Sequence, residues 1–246
     1  LSGVSRGAAL GAAIAIVGGA AFGGLPGFFC PYLLSLCAFL GGLGVTALVY
    51  RLGRRNGQTN VAVMLLAGIA LTALAGSAVG LFTYLADDAT LRTLTFWNLG
   101  SLNGASYARL WPLLIVTAGV ALWLPRRAKA LNALLLGESE ANHLGIDVEG
   151  LKRELVFCTA LGVGAAVAAA GMIGFIGLVV PHLVRLLAGP DHRVLLPASV
   201  LAGATLLLFA DLIARLALAP AELPIGIVTA FLGAPFFLYL LMRGRH

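Results

Sequence analysis

Long apolar runs, each close to the length of a membrane-spanning helix, recur along the whole chain. A helix that crosses a bilayer needs about 20 consecutive, mostly apolar residues. The hydropathy pattern predicts eight such helices, at residues 3–22, 28–50, 60–86, 109–124, 155–172, 174–188, 194–213 and 225–242. The sixth is short and follows the fifth directly, so we expect a turn between Gly171 and Gly177. The pattern therefore predicts an all-α, polytopic membrane protein.

Two connections between these predicted spans are longer than simple turns. Residues 87–108 are amphipathic and include Phe96 and Trp97, which suit a membrane–water interface because aromatic residues collect there. Residues 130–153 contain helix-forming residues and a break at Gly145. We expect two short helices in this second connection, lying across one face of the protein; a plain solvated loop is the alternative.

The composition supports a bilayer as the solvent of this chain. Hydrophobic residues make up 60% of the sequence and charged residues 11%, whereas a soluble domain carries about 25% charged residues. So few charges could not give 246 residues a water-compatible surface. We therefore treat residues 1–246 as a single transmembrane domain.

Basic residues mark one side of the predicted bundle. All but three of the 16 lysine and arginine residues fall in alternate connections or at the ends of the chain; the exceptions are Arg92, Arg109 and Arg215. Since basic residues accumulate on the cytoplasmic side, the rich side is predicted to be cytoplasmic, together with the C-terminus. The net charge of +6 then comes from basic residues in the short loops between spans, and nucleic-acid binding is not expected.

Motifs of the common catalytic and nucleotide sites are absent from the sequence. It contains no G-x-x-x-x-G-K-[ST] loop, no H-E-x-x-H, no G-x-S-x-G and no cysteine–histidine metal spacing. We expect no enzymatic activity, no metal site and no permanently bound cofactor. His182 is the one histidine near the interior of a predicted helix, so a membrane electron carrier with bound haem stays open as an alternative.

Three ionisable residues in or near predicted spans each have two interpretations. Asp211 and Arg215 are four residues apart and share a helix face, which predicts either a structural ion pair or an arginine presented to a partner on the outer side. Arg92 lies among aromatic residues, where it could meet an anionic substrate or snorkel to the interface. No chain of acids lies in mid-membrane, so an ion-coupled secondary transporter is only a further alternative.

Three long blocks resemble motifs of one transporter family. They are LSGVSRGAALGA (residues 1–12), GFIGLVVPHLVRLLAGPDHR (174–193) and AELPIGIVTAFLGAPFFLYLL (221–241). Blocks of this length, in this order, span almost the whole chain. The chain is thereby identified as similar to the type II ABC importer permeases for iron-siderophores, haem and vitamin B12.

This resemblance implies an assembly as well as a fold. The family fold has ten helices per subunit, so the chain would hold helices three to ten and lack the first two. Two copies form the pore in the bacterial inner membrane, and two separate ATPase subunits, which use ATP and Mg, bind beneath. A periplasmic binding protein delivers the ligand from above.

The resemblance also implies roles for individual residues. Residues 130–153 would form the cytoplasmic coupling loop, and residues 60–86 would line the pore. Arg215 would dock the binding protein, and Leu1 and Ser2 would border the inner gate. The ATPase-coupling residues would be Gly137, Glu138, Ser139, Glu140, Asn142, His143, Leu144 and Gly145.

The block LADDATLRTLTFWNLGSL, residues 85–102, looks most like the haem-importing branch. Haem is large and flat and carries two propionates, so Arg92 beside Phe96 and Trp97 could lie on its path. We expect haem as the ligand, with a ferric siderophore or cobalamin as alternatives.

Overall fold

The computed structural model describes residues 2–21, 30–55, 58–103, 107–217 and 223–243. Within them the protein is almost entirely helical, which confirms the all-α prediction. The helices are α1 (Ser2–Ala21), α2 (Cys30–Gly53), α3 (Val61–Leu85), α4 (Asp88–Leu99), α5 (Tyr107–Trp123), α6 (Ala128–Leu134), α7 (Glu138–His143), α8 (Val148–Ala170), α9 (Ile176–Ala188), α10 (His192–Leu216) and α11 (Ile225–Arg243). A hairpin of two short strands, β1 (Arg54–Arg55) and β2 (Gln58–Thr59), joins α2 to α3.

Each of the eight predicted spans coincides with a helix, but their lengths differ. Among the described residues, four helices are long and apolar enough to cross a membrane, namely α2, α3, α8 and α10. Shorter apolar stretches lie in α1, α9 and α11. A count of eight spanning helices therefore stays a prediction.

The chain divides into two compact units. The first comprises Leu1–Asn98, Ala105–Val120 and Asp147–Gly171. The second comprises Leu99–Gly104, Ala121–Ile146 and Met172–His246. Each unit has its own packing.

In the first unit, glycine allows α1 and α2 to lie backbone against backbone. A side chain at Gly11 would collide with the backbone carbonyl of Cys37, and one at Gly41 would collide with that of Gly7. Small residues four apart permit this approach between membrane helices, where packing rather than water exclusion drives association. The α1–α2 pair is therefore held by close contact that a larger residue would prevent.

In the second unit, glycine brings α11 against the backbone at the end of α4. A side chain at Gly226 would collide with the carbonyl oxygen of Leu99. Gly100 adopts a left-handed conformation (φ 72°), and a Cβ there would lie 2.8 Å from the carbonyl oxygen of Met172. These two glycines fix how the segment after α4 meets α11 and the start of the α9 region.

The predicted turn ahead of α9 is present and contains a strained residue. Gly171 ends α8 with a φ of 73°, and Phe175 precedes α9 with a φ of 66°. A bulky residue in the left-handed region costs energy that the surrounding structure must offset. The Phe175 side chain packs against Gly233 of α11, where no Cβ could fit.

Candidate coupling surface and outer helix

Helix α7 presents an exposed, mostly polar surface and has one buried residue. All eight predicted coupling residues are exposed, from Gly137 through α7 to Leu144 and Gly145. Ala141, within the same helix, is completely buried. Together, α6 and α7 confirm the expected pair of short helices, and the first of them begins at Ala128, slightly earlier than predicted. The arrangement presents a polar surface while anchoring it by a single alanine.

Both ends of α7 are shaped by glycines. Gly137 precedes the helix with a φ of 116°, and Gly145 follows it with a φ of 81°. The amide of Gly145 donates to the carbonyl of Asn142 (2.9 Å), and that of Ile146 donates to the carbonyl of Ala141 (3.1 Å). This pair of bonds is a Schellman motif, which satisfies the last carbonyls of a helix. The loop therefore holds a defined shape around α7.

The charges on α7 agree with the helix dipole. Glu138 and Glu140 lie in the first turn and His143 in the last. Carboxylates near a helix N-terminus and a cationic histidine near its C-terminus are favourable positions. This exposed surface therefore carries carboxylates at its start and an imidazole at its end.

A hydrogen-bond cluster ties α6 to the start of α10. The side-chain amide of Asn132 donates to Asp191 Oδ1 (2.6 Å), and the backbone amide of His192 donates to Asn132 Oδ1 (2.9 Å). Asp191 also caps α10 by accepting from the amide of Arg193 (3.0 Å). The Arg193 amide and then the Asn132 amide hold the pKa of the Asp191 carboxyl below its ordinary value.

The exposed face of α4 brings two of the three predicted outer residues together. The Arg92 guanidinium lies over the Phe96 ring, 5.7 Å from its centroid, which is within the range of a cation–π contact. Both side chains are exposed, whereas Trp97 is half-buried. Leu94 and Thr90 are buried on the other face, so the predicted amphipathic character of α4 is confirmed.

Asp211 and Arg215 form the predicted ion pair on α10. Arg215 Nε lies 2.8 Å from Asp211 Oδ2, and about half of the arginine side chain is exposed (48%). A guanidinium has five N–H donors in a fixed fork, and the donor on Nε makes this contact. The pair orients Arg215 and leaves much of its surface accessible.

The predicted inner-gate residues are only partly within the described structure. Leu1 lies outside the described residues. Ser2 begins α1, and its backbone position is described. The gate assignment therefore stays a prediction.

Sequence reasoning missed two polar contacts that organise the loops. One is the Asn132–Asp191 bond, between residues 59 apart in sequence; the other joins Thr59 to Glu149, 90 residues apart. Asp191 could have been recognised as a helix cap, since Asp is favoured just before a helix. Nothing in the sequence pattern indicates its partner.

Residues 1–243 match the FecCD transport family. The chain belongs to the FecCD transport family. This confirms the family that the three sequence blocks indicated.

Two curated relatives of this FecCD permease match its full length. The hemin transport system permease protein HmuU of Yersinia pestis is 46% identical over 257 residues, which cover 100% of this chain and 72% of that protein. The vitamin B12 import system permease protein BtuC of Klebsiella pneumoniae is 45% identical over 245 residues, covering 100% of this chain and 71% of that protein. The two identities differ too little to decide the ligand.

A solved structure agrees with the fold. It is assigned to a metal-chelate type ABC transporter in an inward-facing conformation, with a TM-score of 0.87 and 34% sequence identity. The match covers 98% of this chain and 74% of the other. The chain is therefore a permease subunit of a type II ABC importer, and its apolar helices make it a multi-pass protein of the bacterial inner membrane.

Proposed function

We propose that this FecCD permease forms the pore of an ATP-driven importer that moves haem across the bacterial inner membrane. The observation that carries the proposal is the exposed Arg92–Phe96 pair on α4, in a chain 46% identical to a hemin permease. The permease itself catalyses no reaction. ATP, with Mg, is hydrolysed by separate ATPase subunits.

The Arg92–Phe96 pair offers both chemistries that haem recognition needs. A flat apolar macrocycle can stack on the Phe96 ring, and a guanidinium binds a carboxylate such as a propionate through paired N–H donors. Arg92 already lies over the ring, so little side-chain ordering is needed on contact. Trp97, next along α4, extends the aromatic character of this path.

Helix α7 is the proposed contact with the ATPase. It is short, polar and exposed, and its flanking turns hold it in a defined shape. A small rigid helix of this kind can enter a cleft in a partner and pass on its closure as rigid-body motion. The proposed coupling loop is residues 130–153, and the proposed contacts are the residues from Gly137 to Gly145 named above.

A second copy of the chain is the proposed partner across the pore. Helix α3 leaves large apolar side chains exposed, among them Leu65, Leu66, Ile69 and Leu74. Lipid or protein must cover these side chains in the membrane. We propose that one face of α3 contacts lipid and that the other, which lines the pore, faces the second copy.

The remaining assignments follow from the orientation predicted by the basic residues. Arg215, held by Asp211, would receive an acidic residue of a periplasmic binding protein on the outer side. The C-terminus, Leu1 and Ser2 would lie on the cytoplasmic side, the last two at the inner gate.

Reconstitution tests the proposal directly. The permease, its ATPase and its binding protein are placed in proteoliposomes, and uptake and ATP hydrolysis are measured with haem, a ferric siderophore or cobalamin. We expect haem to stimulate both. Arg92→Ala combined with Phe96→Ala should lower haem uptake about tenfold, the scale of one lost charge-assisted hydrogen bond, while Asp88→Ala, on the same helix, should not.

Cobalamin import is the second candidate, because a vitamin B12 permease is 45% identical over the whole chain. Under this alternative, cobalamin alone stimulates uptake, and loss of Arg92 has little effect because cobalamin recognition does not depend on a propionate. That result would replace haem by cobalamin in the proposal.

A further inference from the structure

The corner between α2 and α3 is held by backbone hydrogen bonds and close packing. The Asn60 amide donates to the Gly53 carbonyl (2.9 Å), which closes the hairpin where α2 ends. A side chain at Gly53 would collide with that of Met64, so the end of α2 packs tightly on the first turn of α3. Asn60 Oδ1 accepts from the Val63 amide (3.2 Å) and caps α3. The end of α2 and the start of α3 are therefore joined by hydrogen bonds and close packing at this corner.

Thr59, the last residue of this hairpin, is bound to the first turn of α8. It is buried, and both its backbone amide (2.9 Å) and its hydroxyl (2.5 Å) donate to Glu149 Oε2. Lys152 completes the network, since its Nζ lies 3.2 Å from Glu149 Oε1 and 3.4 Å from the Thr59 carbonyl oxygen. We call Thr59, Glu149 and Lys152 the hairpin latch.

The hairpin latch lies at the point where the proposed coupling loop enters α8. Asp147 caps α8 by accepting from the Gly150 amide (2.9 Å), and Gly145, the last proposed ATPase contact, precedes it closely in the chain. Val148 and Leu151 anchor the same turn by burial. A displacement at the end of the coupling loop therefore reaches Glu149 along a short, capped stretch of backbone.

The first half of α3, which the structure describes throughout, contains no fully buried residue, so the corner contributes to holding its start. The buried residues of α3 among those described are Ala75 and Val79, both beyond its midpoint. Val61, Val63, Leu65 and Leu66, near its start, are exposed. The corner and its latch to α8 therefore help to position the start of α3.

We propose that Glu149 is a positioning residue of the transport cycle, which ties the first turn of α8 to the start of α3 so that the two move together. This rests on the proposed function, in which α7 receives the ATPase motion and α3 lines the pore. Charge-assisted hydrogen bonds suit such a tie because they are shorter and stronger than neutral ones. Loss of the carboxylate lets α8 move without carrying α3.

The test measures ligand molecules taken up per ATP hydrolysed by the complete reconstituted importer. We expect Glu149→Ala to retain ATP hydrolysis within twofold and to lower uptake per ATP about tenfold. Thr59→Val, which removes one of the two donors, should lower it less. Asp88→Ala is the matched carboxylate control and should leave the ratio unchanged. An unchanged ratio in Glu149→Ala overturns the proposal.

A conservative variant separates positioning from folding. Glu149→Gln retains an oxygen that accepts from the Thr59 amide, so we expect it to restore most of the uptake per ATP that alanine loses. Co-purification with the ATPase and the thermal midpoint report folding for every variant, and if Glu149→Ala does not assemble, Thr59→Val carries the test. Equal loss of ATP hydrolysis and uptake in Thr59→Val would show a structural role only and overturn the proposal.

Failure of the latch proposal can be distinguished experimentally from failure of the proposed function. The ratio is measured with whichever ligand the unmodified importer transports, so cobalamin in place of haem leaves the latch test intact. Replacement of α7 by a flexible linker tests the ATPase contact separately. If that replacement preserves coupling, the contact assigned to α7 fails. If it abolishes coupling while Glu149→Ala leaves uptake per ATP unchanged, the α7 contact stands and the latch proposal alone fails.

Discussion

The side-chain amide of Asn132 donates a 2.6 Å hydrogen bond to Asp191 Oδ1, and its oxygen accepts from the amide of His192. One asparagine thus joins α6, at the start of the proposed coupling loop, to the cap of α10. Within the second compact unit, this contact fixes α6 to the start of α10. Within the first unit, the hairpin latch fixes the start of α8 to the hairpin before α3 in a similar way.

Asn132→Ala should destabilise the protein by about 1–3 kcal/mol, since it removes the bonds to Asp191, to the His192 amide and to the His192 ring, and each contributes about 1 kcal/mol. The thermal midpoint of the purified permease in detergent measures the effect. Lys129→Ala is the matched control, because Lys129 is an exposed residue near the start of the same helix. Equal midpoints for the two variants would show that the Asn132 bonds contribute nothing to stability.

Gly11→Ala should destabilise the α1–α2 pair by about 1–3 kcal/mol, the usual cost of forcing extra volume into a packed contact. The new Cβ would collide with the Cys37 carbonyl. Gly44→Ala makes the same chemical change where no atom lies within 4 Å of the new Cβ. Detergent melting curves should therefore separate the two variants, and a Gly11→Ala protein as stable as Gly44→Ala would contradict the packing described.

Arg215→Glu should weaken docking of the binding protein about tenfold or more, because a like charge would replace an attractive one. Affinity for permease in nanodiscs, measured at two salt concentrations, reports this effect. Arg215→Lys keeps the charge and should keep most of the affinity and its salt dependence. An affinity that does not change in Arg215→Glu would leave the Asp211–Arg215 pair with a structural role alone.

The helices could be predicted from the sequence because their cause is local. Membrane helices such as α3 and α8 follow from unbroken apolar runs, and α4 follows from its amphipathic pattern. The Asp211–Arg215 pair was also predictable, since residues four apart on a helix are neighbours. Each of these features depends on residues within one or two helical turns.

The loop contacts could not be predicted because their partners are distant in sequence. Thr59 meets Glu149 across 90 residues, and strands of two residues are too short to show an alternating pattern. Phe175 was also unpredictable, since a non-glycine residue in the left-handed region is set by the tertiary packing around it. What was missed is the way the loops are tied together, which is the part that the proposed coupling depends on.

The most direct measurement of the central claim is uptake per ATP after Glu138–His143 is replaced by a Gly/Ser linker of equal length. In proteoliposomes with the ATPase and binding protein, the account predicts that ATP hydrolysis continues while ligand uptake falls to background. Glu138→Gln combined with Glu140→Gln, which keeps the helix and removes its acidic charge, should retain part of the uptake. Uptake per ATP equal to that of the unmodified permease would contradict the claim that this chain is a pore driven through α7.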